Sequence, residues 1–120
     1  MSDNPQVDDR TPTPPVALAE LGTSLLGEAR DSSHGRAAVT LTPTGALKQT
    51  LLAIVGGHEL SEHPAPGPAS IQVVTGVATL VVGGEETRLE AGGWAPIPLD
   101  RHGLRAEEDL VALLTVVPGG

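Results

Sequence analysis

Hydrophobic periodicity changes once along this chain. Leu18, Leu21, Leu25, Leu26 and Ala29 recur at helical spacing and make a single apolar stripe, which predicts one short helix over about 17–29. Gly22 and Gly27 weaken it, so this helix must depend on docking rather than on propensity. The stretch DSSHGR, 31–36, ends it. From Ala37 the period falls from 3.6 to 2. AAVTLT alternates, ALKQTLLAIV reads as a longer strand closed by Gly56-Gly57, and ASIQVVT and VATLVV are two strands meeting near Gly76. GGEE at 83–86 is a tight turn before TRLEA, GGWAPIPLDRHGLRA reads as irregular, and DLVALLTVV is a last apolar strand.

Six to eight short strands separated by Gly and Pro at spacings of about ten residues argue an antiparallel all-β sandwich or barrel. LLAIV and VALLTVV are apolar on both faces. One face is expected to line a sheet–sheet core, the other a subunit contact or a neighbouring element. Residues 1–15, with four prolines and almost nothing apolar, read as a disordered acidic tail. Residues 16–120 are left as a single barrel domain, the barrel itself over about 37–117.

Composition narrows this picture. The chain has 120 residues, no Phe, no Tyr and no Cys, and a single Trp. Packing therefore comes from aliphatic side chains, and Trp94 is expected in the core as its largest member or, alternatively, on a pocket wall. Zero cysteines exclude disulfides, thiolate ligands and cysteine nucleophiles. A formal charge of −8 without any Lys/Arg cluster makes nucleic acid a poor partner. No apolar stretch approaches the roughly 20 residues needed to cross a bilayer, and the acidic start is unlike a secretory signal. A soluble cytoplasmic protein is expected.

Candidate chemistry concentrates in GGHELSEHPAPGPASIQVVTG, 56–76. His58, Glu59, Glu62 and His63 precede a turn stiffened by Pro64, Pro66 and Pro68. His34 lies in a Ser/Gly/Arg loop and is expected in solvent.

Two stretches of this chain resemble the cupin motifs. Gly57, five residues, His63 and a run ending at Gly76 are similar to G-x5-H-x-H-x3,4-E-x6-G. Gly92, five residues, Pro98 and then His102 are similar to G-x5-P-x-G-x2-H, with His102 one residue early and Asp100 at the glycine position. The resemblance implies a jelly-roll β-barrel of the RmlC-like cupin type, usually dimeric, with a pocket inside one mouth. A complete cupin metal set is three histidines and a glutamate. Carried over by position, His63 matches the first histidine and His102 the last. Ala65 stands at the second histidine, and Ala69, or Ser70 in the longer spacing, at the glutamate. The resemblance implies a divalent Fe, Mn, Ni or Zn ion on His63 and His102. Gln72 is favoured as the third donor over His58, which on one continuous strand would face away from His63 unless a bulge at Ser61 or Glu62 intervened. Two functions follow as expectations: a homodimeric barrel that binds a small molecule, with or without metal, or a metal-dependent dioxygenase- or isomerase-like enzyme acting on a small oxygen-rich substrate.

Overall fold

The computed structural model describes residues 15–42, 45–98 and 101–119, and of His63 the backbone alone. The expected tail and Asp100 lie outside the described residues. Within them the predicted elements form in the predicted order. The helix α1 spans Leu18–Asp31 and is followed by β1 (Arg36–Thr40), β2 (Lys48–Ile54), β3 (Glu59–His63), β4 (Ala69–Thr75) and β5 (Val77–Val82). Then come β6 (Glu85–Glu90), β7 (Trp94–Ile97), β8 (His102–Ala106) and β9 (Leu110–Val116). Three of these strands, β3, β7 and β8, fall where the sequence reads as turn or irregular. Their residues lack aliphatic alternation, and long-range partners supply their hydrogen bonds: β3 pairs with β8, and β7 pairs with β4.

All the ladders are antiparallel. They assemble a five-stranded sheet in the order β1-β2-β9-β4-β7 and a four-stranded sheet in the order β3-β8-β5-β6. This is the two-sheet jelly roll, and its strands interleave so that sequence neighbours often lie in different sheets. Gly76 shows how the chain makes one such switch. Between β4 in one sheet and β5 in the other it adopts φ 91°, and a Cβ there would collide with the backbone at Asp109.

The core lies between the sheets. Leu52, Ile54, Ile71, Val73, Leu80 and Leu110 pack there among further aliphatic residues. The outer face of the five-stranded sheet is also apolar, as its two-faced strands predict, and α1 covers part of it through Leu25 and Ala29 against Leu51, Ala53 and Val111. Gly22 has a packing reason for interrupting the helix: a Cβ there would stand 2.6 Å from Val111 Cγ1. Close approach of α1 to β9 therefore outweighs the propensity lost to glycine. The helix is tied at its other end, where Arg30 reaches Asp109 at 2.8 Å.

Trp94 takes neither expected place. It is 60% exposed on the outer face of the edge strand β7. Its ladder partner Gln72 is outward too, because Ile71 and Val73 on either side turn into the core.

Candidate functional site

At the end where β4 and β8 begin and β7 and β9 finish, the aliphatic core does not close. A cavity of about 120 Å³ remains between the sheets. Leu60, Ile71, Leu80, Ile97, Leu104 and Leu114 wall it, and Ala65, Pro66 and Ala69 floor the approach from the proline-rich turn. Among the described residues His102 is the one ionisable side chain in this lining, and it is only 8% exposed. It enters the cavity because it opens β8 and alternates inward with Leu104 and Ala106.

The ladder between β3 and β8 places His63 opposite His102. Leu60 pairs with Leu104 and His63 with His102, so β3 uses three steps where β8 uses two. The extra residue is a β-bulge at Ser61–Glu62, the irregularity that the spacing of His58 and His63 left open. Gly103 belongs to the same feature: a Cβ there would stand 3.1 Å from the Leu60 carbonyl oxygen and 3.2 Å from Glu62 Cγ, so the bulged strand settles over a residue without a side chain.

The remaining candidates separate from this pair. Gln72 is exposed and absent from the cavity lining, which corrects its expected role as third donor: it stands one position from Ile71 and so on the other face of β4. His58 lies at the opposite end of the barrel, its ring packed over Gly35 and its backbone bonded to Ala106. His34 is exposed, as expected. Glu62 is exposed in the bulge and accepts at its carbonyl from Arg101 Nη2, 2.8 Å away.

Two positions singled out by the motif resemblance gain meaning here. Ala65 and Ala69, at the places of a histidine and a glutamate in a complete metal set, both line the cavity beside His102. The motif register is thus preserved while two donors are replaced by methyl groups. Among the described residues no three His, Cys, Asp or Glu side chains gather as a metal site. These residues do not fit a complete three-histidine, one-glutamate set, since an alanine has no lone pair to give.

Lys48 and Arg101 escaped sequence reasoning. Lys48, the single lysine of the chain, opens β2 directly opposite Val116, which lines the cavity. Arg101 immediately precedes His102. Neither makes an ion pair with a carboxylate among the described residues, where the pairs are Arg30–Asp109, Arg88–Glu90, Arg105–Glu86 and Arg105–Glu107. No local pattern marks them, because which strand ends meet at the mouth is a property of the topology.

No family model and no curated protein matches the chain. Solved structures do. A conserved protein of unknown function from Streptococcus pyogenes superposes with a TM-score of 0.67 at 27% identity, over 74% of this chain and 79% of that one. An RmlC-like cupin from Shewanella frigidimarina gives 0.66 at 22% identity, over 72% and 79% of the two chains. A salicylate 1,2-dioxygenase variant from Pseudoaminobacter salicylatoxidans, solved with gentisate, gives 0.72 at 22% identity; 82% of this chain is covered but only 32% of the enzyme. No helix among the described residues is long and apolar enough to cross a membrane. With the two-sheet jelly roll and its mouth cavity at the motif positions, these likenesses show that the chain has the fold of the small cupins.

Proposed function

We propose that this cupin is a small-molecule-binding module whose ligand enters the mouth cavity without requiring a metal ion. The observation that supports this most directly is the presence of Ala65 and Ala69 at the two donor positions of a cavity whose described lining is mostly aliphatic. Each methyl adds apolar surface where a ligand body would rest and removes a site where a cation would be held. A largely apolar pocket with His102, Ser70 and Thr115 as the polar members of its described lining suits recognition by shape and burial, with His102 fixing orientation.

A second reading is supported by one observation. His63 and His102 are direct partners on the β3–β8 ladder, and directly opposed residues are the closest neighbours a sheet provides. Such a pair is the start of an Fe, Mn, Ni or Zn site, and a metal enzyme would complete it with solvent or substrate. Two imidazoles without a carboxylate make a weak site, so the module reading stands first.

Elemental analysis of purified protein, followed by ligand-induced thermal shift in a chelator, separates the two. The module reading expects substoichiometric metal and a thermal shift that survives chelation. Stoichiometric metal whose removal abolishes binding would replace it with the enzyme reading.

The module is further proposed to be a homodimer formed through the outer face of the five-stranded sheet beyond the reach of α1. Gln49, Ser70, Gln72, Trp94, Pro96 and Thr115 stand on this face, and none carries a charge. A two-fold interface sets each residue near its own copy, so a neutral face lets two chains of formal charge −8 approach without opposing like charges.

A further inference from the structure

The cavity has an uneven charge setting. Its walls are aliphatic, yet two cations stand at its end of the barrel in a chain that has only 7 Lys and Arg against 15 acids. Lys48 lies on the inward side of β2, at the ladder position facing Val116. Arg101 flanks the buried His102 and spends one N–H on the Glu62 carbonyl, a neutral acceptor, and no carboxylate among the described residues pairs with it. Arg30, Arg88 and Arg105, in contrast, are each held by a carboxylate elsewhere on the surface. The described acids at the mouth end are Glu62, exposed in the bulge, and Glu85, exposed on β6 and two strands from His102.

We propose that the cavity binds a small monocarboxylic acid, its apolar body among Leu80, Ile97 and Leu104 and its carboxylate at the rim toward Lys48 and Arg101. This rests on the reading of the cavity as a small-molecule site. An apolar cavity of about 150 Å³ holds a benzene molecule. At about 120 Å³ and open at its mouth, this one suits a body of five or six carbons with the head group left at the rim. An uncharged analogue would gain the same burial but not the attraction of two cations. A dicarboxylate would bury a second charge against aliphatic walls, and an ammonium would meet like charge at the rim.

The test is titration of the full chain, in a chelator, with hexanoate, hexanamide and hexylammonium, read by calorimetry and by the methyl resonances of Leu80, Ile97 and Leu104. Both hexanoate and hexanamide should perturb these methyls, with hexanoate about tenfold tighter and hexylammonium not binding. Lys48→Gln and Arg101→Gln should each weaken hexanoate by about 2–5-fold, the range for a partly exposed charge pair, and leave hexanamide unchanged. Hexanamide binding as tightly as hexanoate, or variants without effect on hexanoate, would overturn the acid while leaving the cavity as a small-molecule site. Failure of both compounds to perturb the cavity methyls would overturn the small-molecule reading itself.

Discussion

On the outer face of the four-stranded sheet the register aligns Glu59, Arg105, Thr79 and Arg88 in one row. On the outer face of the five-stranded sheet the corresponding row is Val39, Leu51, Leu113, Gln72 and Trp94. Both sheets bury their inner faces in the same aliphatic core, so the core does not account for the difference. The charged row ties itself together. Arg105 bonds to both Glu86 and Glu107, which raises its guanidinium above the ordinary arginine value. The Thr79 hydroxyl donates to Glu107 at 2.6 Å and, with Arg105, holds that carboxyl below the usual range. Such a face is finished in water, and its lysine-free but charged strands also discourage edge pairing. The apolar row is not finished: α1 covers one part, and Trp94 remains beyond it. One face is closed by solvent, and the other is the face proposed above for self-association.

Truncating the cover should cost most. Leu25 is 4% exposed between α1 and the five-stranded sheet, and Leu25→Ala should lower stability by about 2–4 kcal/mol through lost burial and a residual void. Denaturant unfolding measures this; a loss below about 0.5 kcal/mol, the surface range, would show that α1 does not close that face. Trp94→Glu comes next. It should weaken self-association at least tenfold, the effect of losing a central aromatic anchor and placing like charges together, while leaving the fold intact. Light scattering on both proteins checks it, and a monomeric wild type at micromolar concentration would remove the neutral face as an interface.

Asp109→Ala should cost roughly 1 kcal/mol, since the carboxylate accepts from the Gly56 N–H and from Arg30 and so fastens the end of α1 to the sheet. Those two donors also hold the Asp109 carboxyl below its ordinary value. A carboxyl with a lowered folded pKa contributes its full stability above the unfolded value and loses it as pH falls through the folded one. The contribution should therefore begin to fall below about pH 4 and vanish only below the lower folded value, where the wild-type and Asp109→Ala acid unfolding curves should converge. Curves that stay parallel into acid would show that the charge of Asp109 is not what fastens the helix. The smallest effect belongs to the charged face. Among the described residues Arg88 pairs with Glu90 alone, both well exposed, and Arg88→Ala should change stability by less than about 0.5 kcal/mol. A larger loss would mean that the two outer faces are less different than their rows imply.

Much of this molecule was legible before its coordinates. Leucine spacing located α1, and alternation with glycine punctuation located six of the nine described strands. The paired glycine, proline and histidine spacings pointed to the barrel and to the end of it that carries His102. The outward side of Gln72 is legible in the chain as well: it lies between Ile71 and Val73, and on a strand the residue between two core residues faces outward. The exposure of Trp94 had no such sign, because WAPI contains no alternation from which to assign a side.

The sequence by itself determined an antiparallel all-β sandwich or barrel with one docked helix, because period, turn residues and aliphatic composition are local properties that the unfolded chain already carries; the choice of the barrel came from the motif resemblance. Only the tertiary structure decided what lies inside the mouth. A period of two says that a strand has two faces, but the pairing partner chooses which one is buried, and a single bulge reverses the choice. The bulge at Ser61–Glu62 set His63 against His102, and the strand order carried Lys48 to the same end of the barrel as a histidine 54 positions away. Those are contacts between distant segments, and their register is fixed only when the sheets close on their core.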